Sequence, residues 1–326
     1  MRAYIVRRLL LAIPTLLLVT MIVFGIVRLI PGDVVEIMAT EYEFTLALDV
    51  NAIRHELGLD VPIYTQYGRW LGVLPTPDAG FSGVLQGNLG NSLWTGKPVV
   101  NEVFARIPVS FELGFFALII GQIIALPIGI YSATRQDTWG DYVGRSFAIF
   151  CIAVPSFWLG TMAVIFPAKY LGWSPSVEYI PFLEDPVENI KQFIIPSVIL
   201  GMNLSGVTMR MTRTMMLEVL RQDYIRTAWS KGLKERGVIF GHAMRNAMIP
   251  VITIVGMQLP LLIGGSAVLE SIFALPGVGG LLIKVINNRD YLVLSGINLI
   301  MATVVLMINL LVDITYAYLD PRVHYS

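Results

Sequence analysis

Residues 9–30 read LLLAIPTLLLVTMIVFGIVRLI, with a single charge, Arg28, near the end. A hydrocarbon core about 30 Å thick is crossed by roughly 20 apolar residues rising about 1.5 Å each, so this stretch predicts a membrane-spanning helix. Arg2, Arg7 and Arg8 precede it as the basic start of a signal peptide would. The apolar run is longer than a typical signal core, however, and lacks a small-residue cleavage site before Pro31-Gly32-Asp33, so it reads as an uncleaved anchor. Comparable runs recur at 111–131, 147–167, 194–209, 247–269 and 292–318. Six spans put both termini on one side. With 55% hydrophobic and 14% charged residues and a mean hydropathy of +0.69, the chain is too apolar for a wet surface over 326 residues. The expected fold is an all-α polytopic membrane protein.

The placement of charge sets the orientation. Cytoplasmic loops retain Lys and Arg, and with the N-terminus inside, the inner segments hold Arg2, Arg7, Arg8, Arg135, Arg145 and Arg322. They also hold a dense group comprising Arg210, Arg213, Arg221, Arg226, Lys231, Lys234, Arg236 and Arg245. The opposite segment, 31–100, is acidic. Both termini are therefore expected in the cytoplasm. An arginine at mid-bilayer costs at least about 2.5 kcal/mol, so Arg210 and Arg213 mark the cytoplasmic exit of the fourth span, while Arg28 reaches outward to the headgroups. The formal net charge of zero gives no sign of a nucleic-acid partner. Cys151 is the single cysteine and cannot form an intrachain disulfide, and His55, His242 and His324 show no ligand spacing. No metal site is expected.

Two domains follow from this layout. Residues 1–100 form the anchor plus a helical extracytoplasmic segment, in which Asp49 caps one short helix ending at Gly58. Asp60 and Pro62 start a second carrying Ile63, Tyr67, Trp70, Leu71 and Leu74. The Pro-rich stretch 74–80 is a turn-rich spacer. Residues 101–320 hold five spans and a long inner loop at about 216–246. In that loop Leu217, Leu220, Tyr224, Ile225, Ala228, Trp229 and Leu233 recur at helical spacing opposite Glu218, Arg221, Gln222, Arg226 and Lys231. Taken by itself, this is an amphipathic helix in the headgroups. Gly232 can end it in the left-handed conformation, and a second helix over 234–246 leads into the next span.

The run Tyr224-Ile225-Arg226-Thr227-Ala228-Trp229-Ser230-Lys231-Gly232-Leu233 resembles the cytoplasmic coupling loop of binding-protein-dependent ABC permeases, most closely those of the dipeptide, oligopeptide and nickel family. Arg226-Thr227-Ala228 replaces the general Glu-Ala-Ala triplet and Ile249-Pro250 the later Leu-Pro, as in the peptide branch. The likeness extends through Arg106-Ile107-Pro108-Val109-Ser110-Phe111-Glu112-Leu113, Pro155-Ser156-Phe157-Trp158-Leu159-Gly160 and Glu270-Ser271-Ile272-Phe273-Ala274-Leu275-Pro276-Gly277-Val278-Gly279. Asn88 stands where the family usually has Asp. The resemblance implies a type I ABC importer transmembrane domain. It further implies that the chain is half of an alternating-access path for di- or oligopeptides, with a homologous or identical second permease, two ATP-binding subunits inside and a solute-binding protein outside. Tyr224, Arg226, Thr227, Ala228, Trp229, Lys231 and Gly232 are then the ATPase-coupling residues. Nickel, glutathione or oligosaccharides are alternative cargoes of the same machinery.

ATP hydrolysis is expected on other chains, so the chain is read as a transport subunit that carries no cofactor. A phosphate-binding loop needs four residues between Gly and Gly-Lys-Ser/Thr. The nearest approach, 90–97, has five between its glycines, and Pro98 follows the lysine. Pro250, Gly256, Pro260, Gly264 and Gly265 let the fifth span either bend or pack closely. The segment with Glu270, Phe273, Pro276 and Gly277 is either an outer gate or a connector. Asn203, Gln258 and Asn298 either line a solute path or bond between helices. A secondary transporter is disfavoured because no mid-membrane carboxylate appears. A membrane-embedded enzyme is disfavoured because Cys151 has no partner in sequence.

Overall fold

A computed structural model describes residues 2–29, 60–76, 80–176, 178–264 and 267–319. The Asp49 helix, Pro31-Gly32-Asp33, Gly265 and Arg322 lie outside the described residues. The described chain is helical. Helix α1 (Arg2–Leu29) is the anchor, and α2 (Ile63–Leu71) and α3 (Val99–Phe104) lie in the segment that follows. The chain continues through α4 (Ile107–Thr134), α5 (Trp139–Ala153), α6 (Ser156–Leu171), α7 (Pro186–Leu220) and α8 (Asp223–Ser230). A π-helical turn (Gly237–Ala243) leads into α9 (Met244–Gln258), followed by α10 (Leu261–Gly264), α11 (Ala267–Ile272), α12 (Val278–Asn287) and α13 (Tyr291–Leu319). Five helical stretches among the described residues are long and apolar enough to cross a membrane, and a sixth results if α5 and α6 count as one bent span.

Two of the expected spans are not continuous. The run 147–167 bends by 88° between α5 and α6. The cause is local: Pro155 disfavours the helical conformation for the residue before it, and Val154 is extended at ψ 122°. The run 247–269 breaks after Gln258 at Leu259-Pro260 and resumes as the short α10 and α11. Pro250 stays inside α9, so of the two prolines only Pro260 stands at the break. The fourth span is longer than 194–209 because Asp185 caps α7, accepting from the Val187 and Glu188 amides with Pro186 in the first turn.

The chain divides into two compact units. In the first, built on 1–107 and 281–310, α2 follows the expected start at Pro62 and ends at Gly72 with φ +88°. Its Tyr67 and Trp70 rings pack on Phe24 of α1 at 5.3 and 5.6 Å between centroids, and the Thr20 and Tyr67 hydroxyls lie 2.8 Å apart. Val99 and Val103 of α3 are fully buried, and Val99 fills the space over Gly296 of α13. Asp290, just before α13, is a buried clasp for the loop 90–98. It accepts from the Ser92 hydroxyl at 2.6 Å and from the Leu93 and Val293 amides, while the Trp94 indole donates to the Asn288 carbonyl at 2.9 Å. Burial raises the Asp290 carboxyl above the ordinary carboxylate range, against the pull of those donors.

The second unit is built on 108–280. Helices in lipid gain no hydrophobic drive from each other, so close backbone approach supplies the packing. A side chain at Gly201 would stand 2.7 Å from the Ala117 carbonyl, which fixes how near α7 comes to α4. The core has three parts. Val109, Leu113, Phe193, Leu200, Leu269 and Phe273 fill the end where α4 begins. Ala125, Ala148, Cys151 and Met209 fill the middle, and Ala133, Met216, Ile225, Ala228, Val238 and Ala247 fill the end where α4 stops.

Candidate functional site

The predicted coupling residues are brought together as a knob on that last cluster. The expected single helix through Leu217 is broken at Arg221-Gln222, where α7 stops and α8 begins. The break turns the periodic apolar residues to two destinations. Ile225 and Ala228 are buried against Met216, Val238 and Ala243, whereas Tyr224, Trp229 and Leu233 are each more than 40% exposed. Arg226, Thr227 and Lys231 are exposed as well. Gly232 has φ +78°, the left-handed turn expected of it. The Tyr224 hydroxyl accepts from Asn246 Nδ2 at 2.7 Å, which ties α8 to α9. Arg226 and Asp223 form only a surface ion pair at 3.5 Å. His242 is exposed.

The Glu270 segment lies at the other end of α4 and is organised inversely. Glu270 has no exposed surface; it accepts from the Ser110 hydroxyl at 2.8 Å and from the Gly280 amide at 2.9 Å. The Val278 amide donates to the same Ser110 oxygen at 2.8 Å. Gly277 lies so close that any side chain there would overlap the Glu270 carboxylate and stand 2.6 Å from Ser110 Oγ. Phe273 is buried, whereas Pro276 is exposed. Leu269 reaches into the space above Gly160 of α6, where a side chain would stand 2.8 Å away. The four residues named from the sequence therefore share one structure, pinned by Ser110. Its only sequence signal was its place in the run 106–113.

Of the three polar residues proposed for a path, Asn203 and Gln258 belong to the second unit and Asn298 to the first. Gln258 is buried and donates to the Leu204 carbonyl and the Thr208 hydroxyl, each at 3.2 Å, and accepts from Gln122 at 3.4 Å. It bonds α9 to α7 and α4, as an interhelical tie does. Asn298 bonds the Leu294 carbonyl of its own helix at 2.9 Å. Asn203 is half-buried. Arg213 does not simply mark a membrane exit: it makes a two-pronged ion pair to the fully buried Asp141, both contacts 2.7 Å. Sequence offered no sign of this pair, whose members stand 72 residues apart. Among the described residues no group of His, Cys, Asp and Glu has the arrangement of a metal site.

Comparison with known proteins covers nearly the whole chain. The family described as binding-protein-dependent transport system inner membrane component matches residues 125–325, and its N-terminal counterpart matches 1–114. A Brucella suis protein named for a peptide transport system permease is 42% identical over the whole of both chains. The dipeptide transport system permease protein DppB of Alkalihalophilus pseudofirmus is 38% identical, and the oligopeptide transport system permease protein AppB of Bacillus subtilis 39%, again over the full length of each. Among solved structures, the inward-facing MetNI methionine ABC transporter aligns with a TM-score of 0.54 at 16% identity, covering 67% of this chain and 96% of that one. That likeness speaks to the fold, a type I ABC importer transmembrane domain.

Proposed function

This chain belongs to the binding-protein-dependent transport system inner membrane components, and on that premise we propose that it is one permease subunit of an ATP-driven importer of di- or oligopeptides. The observation that carries the reading is the α8 knob. Its exposed Tyr224, Trp229 and Leu233 sit on a foundation of buried side chains, as a surface built to receive another protein does. Full-length relatives named for dipeptide and oligopeptide transport support the cargo class.

In this reading α8 faces the cytoplasm, as do both termini, and docks on an ATP-binding subunit. Two such subunits, a second permease and an extracytoplasmic solute-binding protein complete the assembly. ATP-driven closure pushes α8, and because Ile225 and Ala228 are locked among Met216, Val238 and Ala247, the push moves the ends of α7 and α9 as one packed body. The population of the transporter then shifts between inward-open and outward-open arrangements. At the other end, Glu270, Phe273 and Gly277 act as an outer gate that moves as a unit, with Pro276 at its exposed turn. Asn203 and Asn298 remain path-lining assignments, and Gln258 serves as a tie between helices. ATP hydrolysis takes place on the partner subunits.

Mass spectrometry of what co-purifies with the chain from its native membrane in mild detergent tests the proposal. Recovery of ATP-binding subunits and a second permease is expected. Reproducible recovery of the chain alone, with peptide uptake that survives ATP depletion, would instead establish an ion-coupled carrier.

A further inference from the structure

A basic notch opens where the end of α4, the start of α5 and the last third of α7 meet, on the side of the unit that carries α8. It is a crevice of about 20 Å³ whose wall is mostly apolar, with Ile128, Ala148 and Met209 in its lining beside Arg145, Arg210 and Arg213. Its size holds about one water or one ligand oxygen, so whatever binds there rests on the mouth rather than inside.

The hydrogen-bond count at the notch points to an anion. A carboxylate accepts about four hydrogen bonds, and Asp141 already takes four: Arg213 Nε and Nη2, the Ser132 hydroxyl, and the Asp137 amide at 3.0 Å. With that acceptor saturated, Arg145 stays outside hydrogen-bond reach. Its Nε forms an ion pair with the carboxylate at 3.6 Å, is buried, and has no hydrogen-bond partner among the described residues. The Arg145 guanidinium lies over the Tyr142 ring, 4.6 Å from its centroid. Arg210 is exposed and has no side-chain partner among the described residues. Asp137 adds a negative charge that Arg213 feels, but its carboxylate accepts from Gln136 and stands in solvent. Arg145, Arg210 and Arg213 thus border one notch, and its buried carboxylate, already the acceptor of four hydrogen bonds, holds Arg145 only as an ion pair at 3.6 Å and does not engage Arg210.

The surroundings identify the source of the anion. Trp139 is 86% exposed, and Tyr131 and Tyr142 are exposed at the same end of α4 and α5. Exposed aromatic rings of this kind mark the level of lipid headgroups. Beyond them α5 exposes Val143, Ile149 and Phe150, apolar surface for acyl chains. Basic pockets between spanning helices at headgroup level recognise anionic lipids. We propose that Arg145 and Arg210, with Arg213 behind them, bind the phosphate of an anionic phospholipid on the α8 side of the membrane. The inference goes beyond the transport reading and stands whatever the cargo.

The test uses the full chain with whatever subunits it carries, reconstituted in phosphatidylcholine nanodiscs containing a fixed fraction of phosphatidylglycerol, with retained lipid read by native mass spectrometry. Each arginine contributes roughly fivefold to retention of a charged headgroup. R145Q/R210Q should therefore lose phosphatidylglycerol by roughly twentyfold or more, while phosphatidylcholine adducts are unchanged and R145K/R210K keeps most of the binding. Equal retention in wild type and R145Q/R210Q overturns the proposal. So does full competition by millimolar inorganic phosphate, which would make the ligand a soluble anion. If the glutamine variant is unstable, the lysine variant decides, because loss of lipid from a stably folded R145K/R210K chain would mean that the guanidinium plane serves packing and not charge.

Discussion

The two ends of α4 carry the two most distinctive segments of the chain, and they are built in opposite ways. At one end α8 buries only Ile225 and Ala228 and leaves Tyr224 and Trp229 in the open, with Leu233 exposed just beyond it. At the other, Glu270 and Phe273 are buried, and polar groups satisfy one another through Ser110. An exposed apolar surface on a rigid base waits for a partner, whereas a closed hydrogen-bond circuit has nothing to offer one. The circuit either holds or opens as a whole, because a buried carboxylate that loses its donors carries a large desolvation cost. The difference teaches that one helix can end in an open apolar surface and in a closed polar circuit; in the proposed reading the first would receive force and the second respond to it.

The sharpest way to break this contrast is Gly277→Val. The added atoms collide with the Glu270 carboxylate and Ser110, an overpacking cost of about 3 kcal/mol, so peptide uptake should fall at least tenfold. Recovery of ATP-binding subunits in a pull-down should stay normal, and a loss of both would mean that the two ends are not separable. Trp229→Ala attacks the opposite end. Removing an exposed aromatic anchor should weaken ATPase association by about 2 kcal/mol, roughly thirtyfold, while the thermal stability of the solubilised chain is unchanged. A drop in stability with intact association would place Trp229 in packing instead.

The smallest effect concerns the first unit and its own buried carboxylate. The folded pKa of Asp290 is raised above its unfolded value, so its stabilising contribution is complete below the unfolded pKa, near 4. The contribution is lost as pH rises through the folded pKa. Amide exchange over 90–98 should be slower at pH 4 than at pH 7 once corrected for intrinsic rates, and Asp290→Asn should flatten the difference. A wild-type profile as flat as that of the variant would remove Asp290 from control of this loop.

Much of the architecture was legible because lipid is a demanding solvent. Apolar length announces a span, and Pro62, Asp185 and Gly232 announce ends for reasons confined to a few neighbouring dihedrals and amides. What misled was continuity. The runs 147–167 and 247–269 are as apolar as unbroken helices, and hydropathy does not register that Pro155 bends one and Pro260 stands at the break in the other. In the loop around α8 the periodicity of 217–233 averages over a break as short as Arg221-Gln222 and cannot divide buried Ile225 from exposed Trp229.

By itself, the sequence determined that this chain crosses a membrane several times, that Arg226-Thr227-Ala228 to Gly232 forms a helix ending in a left-handed turn, and that the run around Gly277 is special. Each of these follows from local composition or from motifs that survive in a single string. Only the tertiary structure decided that Asp141 answers Arg213 across 72 positions, that Ser110 pins Glu270 across 160, and that Arg145 Nε, ion-paired with Asp141, has no hydrogen-bond acceptor among the described residues. The physical reason is that a polar group in a membrane must find its partner in three dimensions, and a hydrogen bond between distant residues leaves no periodic trace along the chain.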